Sequence, residues 1–222
     1  MATTKSESPR SKKRILVLAG ACGILAPVIL GVMQLLAIHY SPVSFSWTQN
    51  WLCDLTGMGY MYFWDVSRPL VSSSLTEILS RSSYIVGGIF SIIFAIGLYI
   101  DDDAPSHHLG AVFAVLGAGA LTLAGIFPAP MGLIHWVPGV ASGVLLPVAM
   151  LLIGGALIDR SRGEAGSLSI AGLAIVLAII ALASAMLLTY GRAAAEMTSW
   201  IMIGVFAVVF SVRMLIHASH LA

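Results

Sequence analysis

The sequence predicts an all-α, polytopic membrane protein with six transmembrane helices in a bundle and a long external loop between helices 1 and 2. Of its 222 residues, 59% are hydrophobic and only 9% are charged, whereas a soluble domain carries roughly 25% charged residues. The mean hydropathy is +0.97. Because so few charges cannot cover the surface of a soluble fold of this length, lipid is the predicted solvent for most of the chain.

Six apolar segments have the length of roughly 17–25 residues that a helix needs to cross a bilayer. Each must be helical, because unpaired backbone amides in lipid cost several kcal/mol. The first segment is too long for the apolar core of a signal peptide. We therefore expect a basic tail, residues 1–14, and one transmembrane domain, residues 15–222. The predicted spans are 15–38, 84–100, 109–127, 136–158, 168–190 and 197–216.

Basic residues are unequally divided between the two sides of this topology. The side with both termini carries Lys5, Arg10, Lys12, Lys13, Arg14, Arg160, Arg162 and Arg213, and the other side carries Arg68, Arg81 and Arg192. Positively charged residues favour the cytoplasmic side of a membrane protein. The sequence therefore predicts a multi-pass protein of the cell membrane with both termini in the cytoplasm.

The predicted external loop, residues 40–83, contains the aromatic stretch SWTQNWLCDLTGMGYMYFWD. Tryptophan and tyrosine are typical of the headgroup region of a membrane, so we expect this stretch to form a cap on the outer surface. Near its end, Ser72–Ser74 are suited to cap a short amphipathic helix with Leu75, Ile78 and Leu79 on one face. We expect that helix to lie on the surface ahead of the second span.

The predicted membrane interior contains no Asp, Glu, Lys, Arg or His, and Gln34 is its most polar side chain. Pumps and proton-coupled transporters need buried ionisable groups, so the sequence argues against those classes. The net charge of +1 likewise argues against a nucleic-acid partner. The predicted partners are membrane lipids and other membrane subunits.

Polar side chains collect at both predicted surfaces. On the outer face, Asp54 and His135 are candidates for a general base or a metal ligand, and Asn50, Arg192 and His39 are candidates for substrate binding. The alternative is that these side chains are interfacial anchors that pair with each other. On the inner face the weak candidates for metal ligands are His107, His108, His217 and His220, against the alternative of a solvated loop and a polar C-terminal tail.

Two stretches resemble a known family. SWTQNWLCDLTG is similar to the serine-aspartate-leucine-glycine signature that follows the first span in the prokaryotic membrane proteins catalogued as domain of unknown function 998, with Cys53 at the position of the serine. GIFP and LIHWVPGVASG resemble the other marked region of that family. The resemblance implies a six-helix membrane protein without an established activity. Its matching positions are Asp54, Leu55, Gly57, Pro128 and His135.

Three functional hypotheses follow. The first is a structural or accessory subunit of a membrane assembly, with the aromatic loop as a docking surface. The second is a membrane enzyme that acts on a lipid or another amphiphile at the outer interface and uses Asp54 and His135. The third is a redox module linked to haem or quinone. The sequence names no cofactor and leaves open whether the protein is an enzyme.

Overall fold

A computed structural model of the protein describes residues 9–47, 50–57, 73–161 and 192–221, without the side chains of residues 9, 157–161, 192, 193 and 195. Within these ranges all regular structure is helical. Five long helices are joined in part by two short 3₁₀ helices, η1 and η2. Their bounds are α1 Pro9–His39, η1 Leu52–Thr56, α2 Ser74–Asp101, α3 Pro105–Ile126, η2 Ala129–Met131, α4 Leu133–Ser161 and α5 Arg192–His220.

All five long helices are long and apolar enough to cross a membrane. The described residues thus confirm the all-helical class, and the length and composition of the helices fit a membrane protein. They correspond to five of the six predicted spans. The remaining predicted span, residues 168–190, lies outside the described residues.

The prediction of a separate, short surface helix ahead of the second span is wrong. Residues 74–101 form one continuous helix, α2, whose start is capped by Ser73, because the Thr76 N–H donates to its hydroxyl at 3.2 Å. Thr76 and Ser80 are fully buried and Leu79 packs against a buried cluster. This first stretch of α2 therefore packs into the bundle, and the helix has no reason to break before the apolar span.

Helices α1 to α4 alternate in direction, and α5 runs in the same direction as α4, so the bundle has two ends that we name by what they carry. The loop end holds the end of α1, the start of α2, the η1 and η2 turns and the start of α5. The tail end holds the start of α1, the α2–α3 connection and the end of α5. At the tail end the Lys13 ammonium donates to the Leu221 carbonyl at 2.9 Å.

The long helices pack in an open ring. Each of α1 to α4 packs against the next along the chain, and α5 packs back against α1, whereas α4 and α5 scarcely touch. Small residues allow the close approaches. A Cβ at Gly97 of α2 would collide with Ala19 of α1, and one at Gly110 of α3 would lie 3.0 Å from the Ala149 carbonyl oxygen of α4. Among the described helices the ring therefore has one gap, between α4 and α5.

Three apolar clusters hold the described helices together, and one of them joins Ala95, Ala114 and Ala149. The larger one lies toward the tail end, and a smaller one at the loop end packs η1 against the helix ends through Leu52 and Leu55. The larger cluster consists of Leu16, Ala19, Phe94, Leu98, Ala111, Met150, Ile153, Phe206, Phe210, Met214 and Ala218.

Gln34, the most polar side chain of the predicted interior, is buried and fully engaged. Its amide nitrogen donates to Ser80 Oγ at 3.1 Å and to Ser83 Oγ at 2.9 Å, and Ser80 Oγ donates in return to the amide oxygen at 3.2 Å. A buried polar group is tolerated when it is hydrogen-bonded. These bonds join α1 to α2 inside the membrane-spanning part of the bundle.

Candidate functional site

The η1 turn is held at the loop end by bonds from acidic side chains to successive backbone amides. The Trp51 N–H donates to Asp54 Oδ2 at 2.8 Å, and the Leu52 N–H donates to Glu196 Oε2 of α5 at 3.0 Å. A carboxylate that accepts from amides near the start of a helical turn satisfies donors that the turn itself leaves unpaired. Asp54 and Glu196 therefore fix the position of η1 over the helix ends.

A third bond joins η1 to the connection between α3 and α4. Thr56 Oγ1 donates to the Cys53 carbonyl at 2.7 Å and accepts from the Ala129 N–H at 3.0 Å. Thr56 is fully buried, so this bond forms out of contact with solvent. It brings the turn that carries Cys53 against the turn that leads into α4.

Gly132 sets the start of α4. Its φ is +61°, a left-handed conformation that glycine adopts without the steric cost that a side chain would impose. The Gly132 carbonyl then accepts from the N–H groups of His135 and Trp136 at 3.0 and 2.9 Å. The first turn of α4 is thereby started so that His135 points back toward the end of α3.

The His135 imidazole is almost completely buried, at 3% exposure. Its Nδ1 lies 2.6 Å from the Phe127 carbonyl oxygen and 3.0 Å from the Ala124 carbonyl oxygen. Carbonyl oxygens only accept hydrogen bonds, so Nδ1 carries the proton. In the neutral ring the lone pair is consequently on Nε2, for which the described residues supply no hydrogen-bond partner.

A cavity of about 580 Å³ opens at this place. It lies between η1 and helices α2, α3, α4 and α5. His135, Cys53 and Glu196 line it together with Trp51, Trp136, Trp200, Leu121, Val140, Val144 and Ile203. A few polar groups thus converge on a space whose walls are aromatic and aliphatic.

Asp54 has a different environment from the one we predicted. It does not line the cavity; it is buried at 4% exposure inside η1. Burial raises the pKa of Asp54 to about 6, although bonds from the Trp51 N–H and the Asn50 side chain oppose the shift. Asp54 therefore acts on the turn that carries Cys53, and of the two predicted catalytic residues only His135 faces the cavity.

The three predicted substrate-binding residues do not converge. Asn50 is buried, and its Oδ1 accepts from the Ser46 N–H at 2.7 Å, which shapes the loop ahead of η1. His39 is exposed at the end of α1 with its ring edge-on to Tyr40. Arg192 begins α5, and its side chain lies outside the described residues. None of these observations connects the three residues to the cavity.

At the tail end the predicted inner-face residues are drawn into pairs between helices. His217 Nδ1 of α5 lies 2.5 Å from Asp101 Oδ1 of α2. Asp102 Oδ2 lies 3.8 Å from the Arg213 guanidinium and 3.9 Å from His107 Nδ1. Asp101, Asp102 and His107 are buried, so the alternative of a solvated loop is wrong at these positions.

The four predicted metal-ligating histidines are dispersed. His107 is fully buried, and neither of its ring nitrogens has a hydrogen-bond partner in the described structure. The His108 ring stacks on Tyr99, and His220 is exposed in the last turn of α5. Over residues 9–47, 50–57, 73–161 and 192–221, no three His, Cys, Asp or Glu side chains are grouped to hold a metal ion.

Glu196 and Cys53 line the cavity, although no catalytic or binding role was predicted for either of them. Glu196 immediately precedes a predicted span, a place where an acidic residue is ordinarily a solvated helix end, and its partner Leu52 is 144 positions away. Cys53 carries no cysteine motif around it. Its position beside the resembling Asp54 was the one signal in the sequence that pointed to it.

A comparison with protein-family models, with curated proteins and with solved structures found no match to this chain.

Proposed function

We propose that the chain is a six-span protein of the cell membrane with both termini in the cytoplasm. The ring of described helices has its gap between α4 and α5. The chain leaves α4 at the tail end and begins α5 at the loop end, and residues 162–191 lie between them. About 20 apolar residues are needed to cross a bilayer, and residues 168–190 supply them. A sixth span there would bring the chain back to the loop end.

The proposed orientation rests on charge. Among the described residues, the tail end carries Arg10, Lys12, Lys13, Arg14 and Arg213, whereas the loop end carries Arg81 and Arg192. The excess of basic residues favours the cytoplasm for the tail end. Membership of the family called domain of unknown function 998 is likewise a proposal, supported by the motif around Asp54 and by the residues around His135.

We further propose that the protein binds an amphiphile, such as a membrane lipid, in the loop-end cavity. The observation that carries this proposal is the combination of apolar walls with the Nε2 of buried His135 and the Glu196 carboxylate in one cavity of about 580 Å³. Ligand pockets are typically 300–1,000 Å³, mostly apolar, and furnished with a few placed polar groups. An acyl chain suits the aromatic and aliphatic walls, and a polar headgroup or ester suits the two side chains.

Photocrosslinking tests this function. A phosphatidylglycerol with a diazirine and an alkyne on one acyl chain is added to the purified protein in detergent micelles, and labelled peptides are identified by mass spectrometry. Label is expected on the peptides that contain Val140, Val144 and Trp200. Label spread evenly over the lipid-facing surfaces of all helices would contradict the proposal.

A pair of glycine variants provides the control. Gly143 lines the cavity, Gly119 of α3 does not, and at both positions a Cβ would meet no heavy atom within 4 Å. Gly143→Leu is expected to fill part of the cavity and to reduce its labelling, whereas Gly119→Leu is expected to label as the wild type does. Both variants are first compared by thermal unfolding.

The accessory-subunit hypothesis and the haem- or quinone-linked hypothesis stay predictions. Co-purification of a stoichiometric second chain in mild detergent tests the first of them. A visible absorption spectrum of the purified protein tests the second.

A further inference from the structure

A thiol and an imidazole, the two groups of a cysteine nucleophile and its base, line the same cavity. Cys53 enters it from η1 and His135 enters it from the first turn of α4. The two turns are fastened together, because the Ala129 N–H donates to Thr56 Oγ1, three residues after Cys53, and Phe127, two residues before Ala129, holds the His135 ring. The positions of both groups are thus fixed by backbone bonds at the same end of the bundle.

The protonation of the ring suits it to act as a base. Two carbonyl oxygens hold the Nδ1 proton of His135, from Phe127 at 2.6 Å and from Ala124 at 3.0 Å. Nε2 is therefore the nitrogen with the lone pair, on a side chain that is 97% buried and lines the cavity. A histidine oriented through one nitrogen and basic at the other is the arrangement that activates serine and cysteine nucleophiles.

Cys22, the other cysteine of the chain, can be compared with Cys53. Cys22 lies within α1, is 6% exposed, and does not line the loop-end cavity. The two thiols thus differ in the feature that matters here, which is access to the cavity that holds His135. Cys22 therefore serves as an internal control for any reaction assigned to Cys53.

We propose that Cys53 and His135 carry out acyl transfer on an ester-linked acyl lipid bound in the cavity. The thiol proton passes to His135 Nε2 as the sulfur attacks the ester carbonyl carbon. A carbon–sulfur bond forms, the bond from that carbon to the ester oxygen breaks, and the departing alcohol oxygen takes the proton from Nε2. The products are a thioester on Cys53 and the free alcohol, so that no oxidant or reductant is required. Water then releases the acyl group as a fatty acid.

This inference rests on the proposed binding of an amphiphile, since the acyl chain must occupy the same cavity. Aromatic and aliphatic walls give the reacting groups a mostly apolar surrounding, in which electrostatic interactions are stronger than in bulk water. Glu196, whose Oε2 accepts from the Leu52 N–H at 3.0 Å, holds the residue next to Cys53. We assign it a positioning role in this reaction.

The experiment uses the full-length protein in detergent micelles with p-nitrophenyl palmitate as the acyl donor. We expect a burst of about one p-nitrophenol per chain, and a palmitoyl adduct that maps to Cys53 and is removed by hydroxylamine. Cys22→Ala is expected to behave as the wild type does, and Cys53→Ala to lose the burst. In the Cys22→Ala protein, prior reaction of Cys53 with N-ethylmaleimide is expected to abolish the burst without a further substitution that could disturb folding.

The role of the imidazole is tested by His135→Gln, whose amide N–H can still donate to the Phe127 carbonyl. We expect the burst to slow by about 100-fold, the usual range for loss of a general base, and to recover in part when imidazole is added.

A burst that persists in Cys53→Ala, an adduct on another residue, or a His135→Gln rate equal to that of the wild type would overturn the inference. If phosphatidylglycerol labels the cavity and no burst occurs, the acyl-transfer inference fails and the binding function stands. If the cavity is not labelled, the binding function fails and the inference fails with it.

Discussion

The two ends of the bundle satisfy their buried polar side chains in different ways. At the loop end, Asp54, Glu196 and His135 each bind a backbone group. At the tail end, ionisable side chains face one another, as His217 faces Asp101 and Arg213 faces Asp102. Backbone partners fix local turns without depending on the charge of a second side chain, whereas paired side chains join separate helices and depend on both charges.

The two kinds of partner suit different structural roles at the two ends of the bundle. The reaction that we propose needs a rigid turn at the loop end, because Cys53 and His135 must both be held beside one cavity. The tail end joins α2, α3 and α5 through side chains from all three helices. Buried polar atoms of His107 and Arg213 there are outside hydrogen-bond geometry. We therefore expect the loop end to be the more rigid region.

The largest predicted effect is the pH dependence that Asp54 imposes on the loop end. Its pKa is about 6 in the folded protein and about 4 in an unfolded chain. Because the folded state holds this proton more tightly, ionisation costs no stability below about pH 4. The cost grows to about 3 kcal/mol above pH 6. Asp54→Asn keeps a side-chain acceptor for the Trp51 N–H and should remove this dependence.

The measurement is hydrogen exchange of the η1 amides in detergent between pH 4 and 7, corrected for intrinsic exchange, in the wild type and in Asp54→Asn. Because the Asp54 charge acts on the Glu196 carboxyl group, both proteins also carry Glu196→Gln, so that Asp54 is the group that differs between them. An equal loss of protection with rising pH in both proteins would contradict the assignment to Asp54.

Arg213→Met tests the paired charges of the tail end. The substitution keeps the aliphatic volume and leaves the fully buried Asp102 carboxylate without its guanidinium. Breaking a buried pair from one side costs about 3–5 kcal/mol; since the Arg213 side chain is 33% exposed, we expect about 2 kcal/mol. The double variant Arg213→Met, Asp102→Asn should be less destabilised than the sum of its single variants, as measured by unfolding in detergent. Strict additivity would show that the two side chains do not interact.

Glu196 tests a backbone partner at the opposite end. Glu196→Ala removes the acceptor of the buried Leu52 N–H, and an unsatisfied buried donor costs about 1–3 kcal/mol. Glu196→Gln keeps an acceptor oxygen and is expected to stay within about 0.5 kcal/mol of the wild type. The free energy of unfolding and the protection of the Leu52 amide are the readouts. Equal losses in the two variants would mean that the charge of Glu196, and not its bond to the backbone, holds η1.

The same contrast explains what the sequence could predict. Hydropathy over about 20 residues identifies a membrane span, because a helix in lipid must satisfy its own backbone; five spans are therefore found in the structure. The cap near Ser73 was predicted, but the continuity of this stretch with the α2 span was not, because the stretch is held in α2 by its cap and by tertiary burial of Thr76 and Ser80. Neither the cap nor the tertiary burial produces a long apolar run, which is the pattern that predicts a span.

The candidate site was only partly predictable for a related reason. His135 was found because its residue type and position beside a helix end are visible in the sequence. The role of Glu196 depends on a bond to Leu52 across 144 positions. The role of Asp54 depends on whether its carboxylate oxygen accepts from a backbone amide or faces a cavity. Both roles are decided by how the helix ends pack against one another. The sequence contains no periodic pattern that predicts this packing.

The smallest predicted effect belongs to the shortest ion pair. His217 lies 2.5 Å from Asp101, yet its side chain is 41% exposed. An exposed pair contributes little, because water screens the attraction and ordering the side chains costs entropy. We expect His217→Gln to change the free energy of unfolding by about 0.5 kcal/mol or less, and added salt to reduce the change further. An effect as large as that of Arg213→Met would show that the whole tail-end cluster acts as one cooperative unit, and that burial of a single partner is sufficient to make such a pair strong.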